Sequence, residues 1–253
     1  MATTITPEFE EATYKKVVGR LIPFLFLCYI VAFLDRVNVG FAKLQMAGDL
    51  HFSDTMYSFG AGVFFIGYFI FEVPSNVILE KVGARMWIAR IMITWGILAC
   101  ATAWATGETS YGVIRFLLGV AEAGFFPGIV LYFTYWFPSH HHARIVSGFL
   151  IGLPIAVAAG SPMSTALLEL DGWLGYHGWQ IMYIAEGLPT VLIGIATLFV
   201  LTDRPEQATF LTAEEKTWLA SKLASEKKAK EAVRKFTLLE GMFDRRVLLL
   251  ALN

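Results

Sequence analysis

Six long runs of apolar residues follow one another along the chain, each interrupted only by isolated polar positions. They cover residues 17–41, 57–79, 86–106, 111–137, 145–168 and 179–201. A helix needs about 20 apolar residues to cross the hydrocarbon core of a bilayer. None of the runs alternates strictly between apolar and polar residues, as a strand of a membrane barrel does. Within lipid a helix satisfies its own backbone groups. The pattern therefore predicts an all-α membrane protein of six transmembrane helices.

The polar stretches divide the rest. Residues 1–16 read as a tail, with no short apolar core and small-residue cleavage site to mark a removable signal. Residues 202–246 read as a linker: Thr202-Asp203-Arg204-Pro205 ends the sixth run, and Thr212 with Glu215 fits a capping box. Trp218, Leu219 and Leu223 form a narrow apolar stripe, and Glu226 and Lys230 are spaced as an i,i+4 pair. This predicts a short amphipathic helix in a solvated basic linker near anionic headgroups. Residues 247–253 begin a new apolar run, the expected start of a seventh helix, so that the chain reads as the N-terminal half of a larger protein.

Composition supports a polytopic chain: 56% of residues are hydrophobic and only 16% are charged. Net charge is −1, so no basic balance points to nucleic acid. Basic residues set the orientation. With the N-terminus in the cytoplasm, Lys43 lies in an outer loop, Arg36 and Arg115 lie within spans, and every other Lys and Arg falls inside. The expected location is the inner or plasma membrane. Cys28 and Cys100 lie in apolar runs and read as buried hydrophobes. His140, His141 and His142 are consecutive and would point three ways from a helix, a polar turn rather than a metal site; Asp49, His51, Asp171 and His177 read as solvated loop residues. No metal or cofactor is expected.

Charges at membrane depth mark the candidate site. Each costs at least about 2.5–3.5 kcal/mol to insert unless it faces a partner or a water-filled cavity. Asp35 and Arg36 sit two-thirds along the stretch 21–42. Arg115 and Glu122 are seven apart in the fourth run, on one helical face, with Gly119 and Gly124 small enough to admit a neighbouring helix. If spans 1–3 and 4–6 form an inverted repeat, these two pairs correspond and converge on a midplane cavity. An arginine there stays charged and binds carboxylate bidentately, so two suit an organic anion. Asp35 and Glu122 are candidate proton carriers. Alternatively, each acid only neutralises an arginine and holds helices together. Glu72 is a third acid near membrane depth, Tyr68 lies one turn before it, and Pro74 is expected to kink this helix. Tyr29 and Asn38 complete the candidate substrate-binding set of Arg36, Arg115 and Tyr68, and Glu72 joins the proton-coupling set. Asn76, Glu80, Lys81, Gly83 and Arg85 form a charged turn that could latch one helical bundle against another.

Residues 76–85 resemble the loop 2–3 signature of the major facilitator superfamily, Gly-x-x-x-Asp-Arg-x-Gly-Arg-Arg. They depart from it with Asn76 for the first Gly, Glu80 for the Asp and Ala84 for the first of the closing Arg pair. Arg115 with Gly119 resembles that family's helix 4 signature. LDRVNVGFA, FEVPSN, RFLLGVAEAGFFPG and TDRPEQA…LTAEEKTWL are together similar to the anion:cation symporter branch, in particular its tartrate, phthalate and hydroxyphenylacetate permeases. The resemblance runs over nearly the whole chain. It implies a twelve-helix importer of small organic anions coupled to protons, with the site on Asp35, Arg36, Tyr68, Arg115 and Glu122. Some relatives carry Gln at the position of Glu72. Two further readings stay open: an exporter of the same fold, and a half that is inactive alone. An intramembrane enzyme is disfavoured, because the chain has no His-Glu-x-x-His, Gly-x-Ser-x-Gly or paired-Asp metal motif.

Overall fold

The apolar runs become helices because their residues can bury side chains on several faces while the backbone bonds to itself. A computed structural model describes residues 6–233 and residue 240. The helices are α1 (Pro7–Asp49), α2 (Asp54–Val82), α3 (Ala84–Ala101), α4 (Glu108–Glu122), α5 (Phe125–Thr134), α6 (Ser139–Leu150), α7 (Gly152–Leu168), α8 (Gly178–Val200) and α9 (Ala213–Val233). Six candidate spans result, α4 with α5 forming the fourth and α6 with α7 the fifth. The expected start of a seventh helix lies outside the described residues.

The packing repeats itself. Exchange span 1 with 4, 2 with 5 and 3 with 6, and each major contact maps onto another. The α2–α4 pairing becomes the α7–α1 pairing, α3–α4 becomes α8–α1, α2–α3 becomes α7–α8, and α3–α8 maps onto itself. This is the signature of a three-plus-three inverted repeat. Small residues set the closest crossings. A Cβ on Gly119 of α4 would run into the Phe64 carbonyl oxygen of α2, and one on Gly96 of α3 would lie 2.9 Å from the Gly187 carbonyl oxygen of α8.

Several expectations need correcting. The 1–16 tail is helical from Pro7, capped by Thr6, and continuous with the first span. α2 continues as one helix through Pro74. A break between helices falls in the fourth span, where Gly124 adopts φ +84° and Pro127 follows. Gly124 thus ends one helix and starts the next rather than only admitting a neighbour. The linker helix is exposed over most of its surface but docks its apolar stripe on α1: Leu219 is fully buried, and Trp218 packs edge-on to Phe9 at 5.8 Å and Tyr14 at 5.4 Å. The predicted capping box is present, with the Thr212 N–H donating to Glu215 Oε2 at 2.8 Å and the Glu215 N–H to Thr212 Oγ1 at 3.2 Å.

Large apolar side chains remain uncovered. Phe69 on α2 and Phe199 on α8 are each 79% exposed, and α7 exposes Leu153, Ile155 and Val157. A water-facing protein would not leave such faces bare. The chain is that of a multi-pass membrane protein.

Candidate functional site

Asp35 and Arg36 are neighbours in sequence but turn to different helices. Successive residues on a helix are about 100° apart, so one face cannot hold both. Arg36 reaches α4: its Nε donates to Glu122 Oε1 at 2.7 Å and its Nη2 lies 2.5 Å from the same oxygen. The Arg36 side chain is 32% exposed, whereas that of Glu122 is 2% exposed. The guanidinium also lies over the Tyr68 ring at 5.2 Å and the Phe33 ring at 5.4 Å. Arg36 therefore has one face on a buried acid, two aromatic neighbours and an edge open to the solvent side.

Asp35 reaches α8. It is buried, accepting from Asn38 Nδ2 at 3.3 Å and from Thr190 Oγ1 at 3.3 Å. Asn38 is fully enclosed as well. Arg115, seven residues from Glu122 on α4, is enclosed, with its guanidinium 4.8 Å from the centre of the Phe64 ring. Its Nε has no hydrogen-bond partner among the described residues. Both Glu122 and Asp35 nonetheless sit in its field. The two arginines thus do not form one open clamp here: Arg36 is accessible, Arg115 is held behind Phe64, and Glu122 lies in the fields of both.

The remaining candidates divide. Tyr68 lies at Arg36. Glu72 is half-buried one turn on, in the field of Arg36. Tyr29 stands one ring away, packed on Phe33 at 4.7 Å and Phe149 at 4.4 Å, so it supports Phe33 rather than touching the guanidinium. Asn76 leaves the charged turn: its amide donates to the Glu72 carbonyl at 2.8 Å and it faces the helix break at Gly124. Glu80, Lys81 and Arg85 are exposed. The acid that organises this turn is Asp203, which accepts the Arg85 N–H at 2.8 Å beside Gly83 at φ +101°. Sequence reading took the Asp203 segment only as a helix stop. It also passed over Glu186, Ser164 and Thr190. Glu186 is 4% exposed and accepts the Ser164 hydroxyl at 2.8 Å. A lone acid in the sixth run was the available signal.

Elsewhere, the loop residues Asp49, Asp171 and His177 do meet. Asp49 Oδ2 accepts Trp179 Nε1 at 2.8 Å and lies 3.1 Å from His177 Nδ1, tying the C-terminal end of α1 to α8. Among the described residues no cluster of three or more metal-ligating side chains forms.

A cluster of buried acids and arginines between helices of an inverted repeat is transporter architecture. Comparison with known proteins agrees. The Major Facilitator Superfamily profile matches residues 25–252. A putative tartrate transporter of Agrobacterium vitis is 50% identical over 248 residues, covering 98% of this chain and 55% of its own. A quinolone resistance transporter of Acinetobacter baumannii is 44% identical, covering 97% of this chain and 56% of its own. The chain therefore spans about half the length of these curated relatives. In fold it resembles the partially occluded, inward-open xylose transporter XylE of E. coli, with a TM-score of 0.65, 14% identity, and coverage of 85% of this chain and 57% of that one. The relatives are named as transporters and not as enzymes, and the narrower likeness to tartrate permeases holds among them. The chain belongs to the Major Facilitator Superfamily.

Proposed function

We propose that the chain supplies one six-helix half of a secondary transporter that imports a small organic anion, tartrate-like or aromatic, by proton symport. The carrying observation is the Arg36–Glu122 contact. Arg36 keeps an open edge while its other side is committed to a buried acid. A substrate carboxylate arriving at that edge competes with Glu122 for the guanidinium. Glu122, once released, is a buried carboxylate without its partner, and taking up a proton is its least costly fate. Binding of anion and proton are thereby linked in either order. Tyr68 offers a hydroxyl beside the incoming carboxylate, and Arg115 draws it inward as Phe64 moves aside. Asp35 is the second proton site. The turn at Glu80, Lys81, Gly83 and Arg85 serves as a latch between the two bundles during alternating access. The other bundle, the bilayer of an inner or plasma membrane and a cytoplasmic N-terminus complete this reading; no cofactor beyond the proton enters it.

Uptake of labelled tartrate into cells expressing the complete gene tests this. Accumulation is expected to collapse with a protonophore, to vanish in Arg36→Gln, and to lose its gradient dependence in Glu122→Gln. Full gradient-driven accumulation by Glu122→Gln would sink the coupling scheme. The 44% identity to a quinolone resistance transporter favours export as the second reading. Quinolones also carry a carboxylate, so Arg36 does not separate the two. Lowered quinolone susceptibility on expression, without tartrate uptake, would select export.

A further inference from the structure

The exchange at Arg36 leaves a buried acid unused. Glu186 of α8 and Asp35 of α1 are both enclosed, and Thr190, one turn after Glu186, has its hydroxyl 3.3 Å from Asp35 Oδ2 and 3.2 Å from the main-chain carbonyl of Glu186. Asn38 faces both carboxyls. Two observations show that this cluster is short of a proton when both acids are ionised. First, Glu186 Oε2 and Asn38 Oδ1 are both buried acceptors without a donor. The donors in reach are Ser164, which gives its hydroxyl hydrogen to Glu186 Oε1, and Thr190 and the Asn38 amide, which donate to Asp35. Second, the enclosed site holds three acids, Asp35, Glu122 and Glu186, against two arginines, Arg36 and Arg115. One negative charge is left over, on the side away from Arg36. An unpaired buried carboxylate is more costly than a protonated one.

The groups facing Glu186 do not change this count. α1 brings Asp35, α7 brings the Ser164 hydroxyl, and α3 brings Cys100, whose Sγ lies 3.9 Å from the Ile184 carbonyl. Tyr183 is its neighbour on α8, and Arg115 and Glu122 of α4 act through Asp35.

We infer that Asp35 and Glu186 together hold a single proton in the enclosure they share with Asn38 and Thr190, and that this proton accompanies the anion. The second clause rests on the symport reading above; the first does not. Glu186 then acts as the partner that lets Asp35 hold and release the proton: one carboxyl O–H bond forms on uptake and breaks on release, and the other acid stays ionised.

Infrared difference spectroscopy of the purified complete protein reads the first clause directly. The wild type is expected to show a carboxylic-acid C=O band that disappears as pH rises. Glu186→Gln and Asp35→Asn are each expected to remove it, because either leaves two acids for two arginines. Absence of the band from the wild type, or its persistence in Glu186→Gln, overturns the shared proton. Thr190→Val keeps both carboxyls but removes a donor to Asp35, so it is expected to keep the band with a displaced midpoint; an unmoved midpoint overturns the placing of the proton at Asp35. Melting temperatures identify any variant that merely fails to fold, and Thr190→Val then carries the test.

Proteoliposomes loaded with a pH dye read the second clause, with tartrate as the probe. Tartrate transport by the wild type without proton uptake overturns the symport reading. Coupled uptake by the wild type with an undiminished proton-to-tartrate ratio in Glu186→Gln overturns only the assignment of the carried proton.

Discussion

Gly119 shows how much a single missing methyl decides. The α2–α4 crossing brings the Phe64 carbonyl to where a Cβ at this position would stand. Backbone cannot swing away as a flexible side chain can, so any larger residue must push the helices apart. Overpacking of this kind costs about 1–3 kcal/mol. Gly119→Val is expected to fall at the upper end and to lower the thermal midpoint in detergent; an unchanged midpoint would show that α2 and α4 do not meet this closely. Gly119 also lies one turn before Glu122, so the same displacement would draw the acid away from Arg36. Removing one partner of a buried pair typically costs about 3–5 kcal/mol. Close packing and chemistry thus meet within one turn of α4. The need for a small residue near Glu122 was readable from the string Arg115–Glu122, but which helix fills the space was not.

Among the elements, α9 holds the end of the bundle where α1 begins, by charge as well as by packing. Its Glu215 lies 2.6 Å from Lys16, and Lys222 lies 3.6 Å from Glu10, both on the first turns of α1. Glu226 accepts the Ser139 hydroxyl and, at 3.0 Å, the Ser139 N–H, so it caps α6. The Ser139 hydrogen bond is the main cause that carries Glu226 down to about 2. Burial works upward on Glu215, but the Lys16 contact and the Thr212 N–H outweigh it and leave Glu215 lowered. Both folded values lie below the unfolded one, so this stabilisation is complete above about pH 4.5 and is lost as pH falls toward about 2. Amide hydrogen exchange over residues 213–230 is expected to lose protection across that window, and Glu226→Gln to remove most of the dependence. Protection that stays flat with pH would show that the acids do not hold the helix. The capping box of α9 was legible because it is local; its docking was not, because Phe9 and Tyr14 lie some two hundred residues earlier.

At the scale of the whole molecule, the inverted repeat packs the two charged spans on symmetry-related neighbours, α4 on α2 and α1 on α7, and leaves α2 and α7 with uncovered apolar faces. Symmetry of this kind suits two bundles rocking about a central site. A cysteine at Tyr68, beside the open edge of Arg36, reports on access. Cys28 is fully buried, and replacing Cys100 by serine removes the other thiol. In the complete protein, Tyr68→Cys is expected to react with a membrane-impermeant thiol reagent added from either side, and tartrate is expected to slow the reaction. Labelling from one side only, unaffected by tartrate, would contradict alternating access at this site.

The amino-acid sequence by itself determined six spans, because hydropathy over about 20 residues needs no knowledge of neighbours. It also determined which residues bear buried charge, since Asp35, Arg36, Arg115 and Glu122 stand out against apolar runs. Only the tertiary structure decided who meets whom. Arg36 turns to Glu122 and Asp35 to Thr190 because adjacent residues on α1 face different helices. Arg115 is closed off by Phe64, Asp203 takes charge of the turn at Gly83, and Glu186 is buried in the field of Asp35. These are contacts between residues far apart in the chain, and local periodicity carries no information about them; the packing of α1 against α8 and the reach of Arg36 to α4 do.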